Sequence, residues 1–174
     1  MPPAPSRALA ASRAVLRVLI VVNWISIAGI AAILVGLFAA KEWMMRALGT
    51  PLTPATEPLL MGLRVVAALG LVVVPLNAIV LKRLLAIVDT VRAGDPFVSG
   101  NADRLRAIAW AALGLQVLQL VIGSIAKAVS GPGQPLSDAS AFSITGWLAV
   151  LLLFVLARVF AEGSRMRADL EGTV

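Results

Sequence analysis

The sequence predicts an all-α, polytopic membrane protein: a four-helix transmembrane bundle with cytoplasmic helical extensions. Three observations carry that expectation. Hydrophobic residues make up 60% of the 174, and mean hydropathy is +0.95, whereas an ordinary soluble domain is only ~45–50% apolar. Four stretches, residues 18–40, 59–81, 107–126 and 141–157, contain a single charged residue between them, Arg64, and each approaches the ~20 residues that cross a hydrocarbon core as a helix. Basic residues are also sorted between alternate loops. Arg7, Arg13, Arg17, Lys82, Arg83, Arg92, Arg104, Arg106, Arg158, Arg165 and Arg167 fall in the leader, second loop and tail, against Lys41, Arg46 and Lys127 in the first and third loops. Eleven against three places both termini on the cytoplasmic side, because basic loops are retained there.

In chain order, residues 1–14 read as a disordered cytoplasmic leader, since Pro2, Pro3 and Pro5 oppose a helix and little apolar surface is available to bury. Residues 15–174 read as a single four-helix membrane domain. The uncharged run 18–40 exceeds the ~7–15 residues of a signal-peptide core, so it stays as helix one, with Trp43 as an outer interfacial anchor. On it Ala28, Ala32, Gly36 and Ala40 form a ladder of small residues four apart. Such a ladder lets backbones approach, and packing inside the bundle is favoured over a homo-oligomer contact.

Pro51, Pro54 and Pro58 mark the first loop. Helix two, 59–81, carries Pro75, which should kink it. Leu84, Leu85, Val88 and Val91 continue its apolar stripe as a stem to residue 93. Gly94 suits the helix C-terminus, Asp95 and Pro96 a turn, and Asn101 the N-cap of a helix running into helix three, 107–126. Ser130, Gly131, Pro132 and Gly133 end that helix. Helix four, 141–157, continues as a tail helix to about residue 170, with Val159, Gly163, Met166 and Leu170 at helical spacing.

Composition narrows the chemistry. The chain has no cysteine, histidine or tyrosine, which removes disulfides, thiolate nucleophiles and the commonest metal ligand and general base. No enzyme activity, cofactor or metal is expected. The excess of 15 Lys and Arg over nine Asp and Glu suits anionic lipid rather than nucleic acid, so no direct nucleic-acid binding is expected.

Polar groups inside a membrane are the default functional candidates. Here they are Asn23, Arg64, Asn77, Gln116 and Gln119. Arg64 lies near the outer end of helix two, where snorkelling to the headgroups is the favoured reading and a contact with Gln119 the more specific one. Asn23 and Asn77 sit at matching depths, which suits an interhelical hydrogen bond. With no carboxylate in any span, a proton relay or cation-coupled transporter is disfavoured.

The remaining motif-like residues gather in the second loop, Arg92-Ala-Gly-Asp-Pro-Phe97 and Asn101-Ala-Asp-Arg-Leu-Arg106, and in the tail, Phe160-Ala-Glu-Gly163 and a terminal Thr173-Val174. Arg104 and Arg106 divide evenly between lipid phosphates and a partner. Joined to four spans at this spacing, the two stretches resemble the bacterial four-helix membrane family called domain of unknown function 2975, over roughly residues 15–174. Gly172 and Met166 stand where leucine is common in that family. The resemblance implies a place in the bacterial cytoplasmic (inner) membrane and, because members resemble genes encoded beside a small helix-turn-helix regulator of the Cro type, a membrane partner for such a regulator. The expected docking residues are Asp95, Pro96, Phe97, Asn101, Arg104, Arg106, Phe160, Glu162 and Gly163. The Gly94–Phe97 turn and the Phe160–Gly163 segment should pack together, since each carries apolar surface otherwise left in water. The alternative is a small transporter or immunity-type membrane protein; an intramembrane enzyme is the weakest reading.

Reporter fusions test the topology. Fusions after residues 95 and 174 should report cytoplasm, and those after residues 50 and 135 the outer side; a periplasmic C-terminus removes the four-span arrangement.

Overall fold

The computed structural model describes residues 7–129 and 142–171, with side chains through residue 169. The breaker cluster 130–133, the start expected for helix four at residue 141, residues 1–6 and the terminal Thr173-Val174 lie outside the described residues. Every described element is helical: α1 (Arg7–Ala39), α2 (Lys41–Ala47), α3 (Glu57–Arg92), α4 (Ser99–Val129) and α5 (Ile144–Glu171). Four of these, all but α2, are long and apolar enough to cross a membrane. Large apolar side chains such as Val35, Leu151 and Leu152 stay exposed, as they do where lipid rather than water is the neighbour.

Two boundaries differ from expectation. Residues 7–14, expected to be disordered, form the start of α1. Ala8, Ala10, Ala11 and Ala14 are the strongest helix formers, and Arg13 pairs with Asp89 of α3 at 2.9 Å. The first loop contains α2, a two-turn helix, because Met44, Met45 and Leu48 give it one apolar side; Met45 is fully buried.

The packing groups into two compact units, residues 1–23, 76–114 and 144–174, and residues 24–75 and 115–143. On α3 the division falls at Pro75, whose missing N–H removes one rung of the helical ladder.

The unit of residues 24–75 and 115–143 has its core at Leu37, Met45, Leu59 and Leu60, flanked by Met44, Leu52, Leu63, Ala67 and Val129. Beside it lies an apolar cleft of about 430 Å³, lined in part by Ile30, Leu37, Leu63 and Ile122. The α1 ladder does not serve bundle packing as expected. Ala28, Ala32 and Ala40 are exposed, and Gly36 faces Met44 of α2. Leu37 is buried and Ile30 packs against Gly70, so the inward contacts of α1 are made by these two side chains, through close van der Waals packing of the kind that joins helices in lipid.

The unit of residues 1–23, 76–114 and 144–174 buries Ala102, Leu105, Ile108 and Ala109 on one side of α4, with Ala78 of α3 and Val150 and Ala157 of α5. Leu76 packs over Gly114, 3.4 Å from where a Cβ would lie.

Among the described glycines the tightest approach is at Gly62, where a Cβ would overlap the Val129 side chain. Gly62→Ala should destabilise by ~1–3 kcal/mol, the usual cost of overpacking around a stiff β-branched neighbour. Adding Val129→Ala should restore part of the loss in denaturant titrations of the detergent-solubilised protein; purely additive losses mean the two positions do not touch.

Candidate functional site

The candidate site is built where α3 ends, α4 begins and α5 passes the turn between them. Gly94, at φ +88°, closes α3. Its N–H bonds the Val91 carbonyl at 3.1 Å, and the Asp95 N–H reaches back to the Thr90 carbonyl at 3.1 Å. This is a Schellman closure, which requires the left-handed backbone that glycine adopts without a Cβ penalty.

Asn101 holds the turn from inside. It is 0% exposed. Its Nδ2 donates to Thr90 Oγ1 at 2.8 Å and to the Pro96 carbonyl at 2.9 Å, and its Oδ1 accepts from Arg104 Nη1 at 2.7 Å. Thr90 Oγ1 in turn donates to the Ile87 carbonyl at 2.8 Å. The expected N-cap role is therefore corrected: α4 starts at Ser99, and the Asn101 side chain bridges back to α3 instead of capping its own helix. Asn101 is closed to a partner, and one guanidinium N–H of Arg104 is taken by Asn101.

Phe97 leaves the turn and stacks on Phe160 of α5, with ring centroids 5.5 Å apart and planes at 29°. Beyond it lies Gly163, whose Cβ position would stand 3.5 Å from Phe97 Cδ1. Arg167 Nη1 pairs with Asp95 Oδ1 one turn further along α5. Turn and tail thus meet as the apolar pattern predicts, and Phe97 keeps 46% of its surface exposed. The stacked pair contributes about 0.5–1.5 kcal/mol beyond its buried area. The Arg167–Asp95 pair, with side chains 47% and 41% exposed, is worth no more than about 1 kcal/mol. Losing the Asn101 amide strands buried partners at about 1–3 kcal/mol, so the buried amide, not the ion pair, dominates the rigidity of the turn.

Of the other expected docking residues, Arg106 and Glu162 are exposed and line a separate groove between α4 and α5. Sequence reasoning missed Thr90, Arg167 and the Arg13–Asp89 pair. Asp95 and Arg167 stand 72 residues apart, and no local pattern signals their meeting.

The intramembrane polar residues are arranged differently from expectation. Arg64 bonds to α1 rather than to Gln119. Its Nε and Nη2 donate to the Leu37 carbonyl at 3.2 and 2.8 Å, and its guanidinium carbon lies 4.2 Å from the centre of the Phe38 ring. The last carbonyls of a helix lack intrahelical donors, and the macrodipole favours a cation there, so the end of α1 offers Arg64 a partner within the protein. Gln119 is exposed and Gln116 half-buried. Among the described residues no hydrogen bond joins Asn23 to Asn77; Asn23 finds another partner.

Residues 78–174 match the family described as "Protein of unknown function (DUF2975)". The chain belongs to this family. The match begins on α3 and takes in the whole turn-and-tail assembly, so the part that carries the family pattern is the part built around Asn101 and Phe97; residues 15–77, included in the resemblance read from sequence, lie outside it. No curated protein and no solved structure matches the chain.

Asn101→Ala should lower unfolding stability in detergent by ~1–3 kcal/mol, and Asp95→Asn by less than ~1 kcal/mol. The reverse order would mean that the ion pair, not the buried amide, holds the turn.

Proposed function

We propose that this protein is a non-enzymatic regulatory protein of the bacterial cytoplasmic membrane, with both termini in the cytoplasm, which binds or sequesters a small helix-turn-helix transcriptional regulator through its turn-and-tail surface. The observation that supports this reading most is Phe97. It is an aromatic side chain on a loop, still 46% exposed, yet fixed on Phe160 and braced from beneath by the Asn101 amide. Preorganised aromatics of this kind anchor protein interfaces, because little side-chain entropy is lost when a partner covers them. The regulator as occupant is what the family resemblance implies.

The transporter reading draws less support. The apolar cleft beside the Leu37 core is lined by Ile30, Ile33, Leu37, Met44, Leu63 and Ile122 among others, which gives a polar solute no groups to replace its water.

Phe97→Ala with Phe160→Ala should leave the protein in the membrane at normal level and reduce the membrane-bound fraction of the co-expressed regulator at least ~10-fold, in line with removal of a central aromatic anchor. Target-promoter activity should change in step. Unchanged recruitment at normal protein level removes this surface from the proposal.

A further inference from the structure

The groove between α4 and α5 includes Arg106 and Glu162, two of the docking residues expected from sequence, but lies apart from the Phe97–Phe160 stack on which the regulator proposal rests. Its volume is about 260 Å³, and its lining is Arg106 from α4 with Phe154, Ala157, Arg158, Ala161, Glu162 and Arg165 from α5. Arg158, Glu162 and Arg165 recur at helical spacing and so share one face of α5, while the small side chains of Ala157 and Ala161 leave the space between them open. Among the described residues Arg106, Arg158 and Arg165 have no hydrogen-bond or ion-pair partner. Three guanidiniums against one carboxylate leave the groove with an unspent positive charge and several forked N–H donors, a donor set that matches phosphate oxygens.

Two further features select the source of that phosphate. Arg106 immediately precedes the uncharged run 107–126 of α4, and Arg158 immediately follows the uncharged run 144–157 of α5, so both guanidiniums stand at the border between apolar and charged helix, the level of lipid headgroups. One turn into the apolar side from each, Trp110 and Phe154 meet edge to face at 5.3 Å between centroids, and Trp110 is 61% exposed. An exposed tryptophan below an arginine cluster suits the glycerol and upper acyl region of a lipid, where indole rings concentrate; a soluble phosphate or an acidic peptide has no use for it.

We propose that this groove is a binding site for one anionic phospholipid, with the phosphate held by Arg106, Arg158 and Arg165 and the glycerol and first acyl carbons resting on Trp110 and Phe154. The site is independent of the regulator proposal, since it uses none of Phe97, Phe160 or Gly163 for contact.

Native mass spectrometry of the full chain from mild detergent, titrated with phosphatidylglycerol, tests it. The unaltered protein should retain one lipid. The triple variant Arg106→Gln, Arg158→Gln, Arg165→Gln should weaken that binding at least ~10-fold, the order expected for losing charge-assisted hydrogen bonds. The charge-matched triple Arg7→Gln, Arg17→Gln, Arg83→Gln should leave it unchanged. Trp110→Ala should weaken lipid binding with all three arginines present, and 10-fold excess inorganic phosphate over lipid should not displace it. Equal losses in the two triple variants overturn the site in favour of diffuse surface charge. Displacement by inorganic phosphate with no effect of Trp110→Ala overturns the lipid as its occupant. Thermal unfolding in detergent, expected to be unchanged for these exposed positions, separates loss of the site from loss of the fold.

Discussion

A peptide group in hydrocarbon has no water to bond, and leaving its N–H or C=O unpaired costs several kcal/mol. The architecture answers that constraint. Long uninterrupted helices pair their own backbone through the apolar runs, and irregular backbone is kept to the turns between them. Where a helix ends, the orphaned groups are met specifically. Arg64 covers the Leu37 carbonyl near the end of α1, and the Gly94 closure completes the end of α3. The single charge in an otherwise uncharged set of spans is thereby a half-buried arginine that satisfies a carbonyl near a helix end.

The same constraint concentrates chemistry at one end of the helices. With backbone hydrogen bonds satisfied internally and the apolar faces given to lipid, the α3–α4 turn and the adjoining part of α5 carry, alone among the described residues, a polar network, an aromatic stack and a long-range ion pair together. Asn101 is decisive there because it is fully buried and serves three partners at once. Its amide ties the end of α3, the turn and Arg104 into one body, and Phe97 is presented from that body rather than from a mobile loop. The family pattern, which covers α3 from residue 78 onward, follows this rigid assembly and not the more purely apolar N-terminal half.

Two surfaces with different chemistry therefore lie on the same pair of elements. Around Phe97 an aromatic face is half exposed and electrostatically quiet, because Asp95 and Arg167 neutralise each other. Around Arg106 three guanidiniums remain unspent beside an exposed indole. The first suits a protein contact governed by shape and apolar area; the second suits a phosphate governed by charge and forked hydrogen bonding. On this reading a bound lipid steadies α4 against α5 while the turn stays free for a partner.

Periodicity and the four uncharged runs were enough to determine the all-helical membrane class, the long helices, the stem reaching α3's end and the apolar match between turn and tail, since each depends on interactions within a few residues or on transfer from water to lipid. The Gly94 closure was legible for the same reason. Tertiary structure alone decided the partners. Which residues of α1 make its inward contacts, Ile30 and Leu37 rather than Ala28 and Ala32, depended on how the neighbouring helices approached it. Whether Asn101 capped its own helix or bridged to Thr90 depended on where α3 ended relative to α4. Whether Arg64 met Gln119 or a carbonyl depended on how close α1 came. Residue types and spacings state what each group needs; only the folded chain settles which of several chemically adequate partners comes within hydrogen-bonding distance.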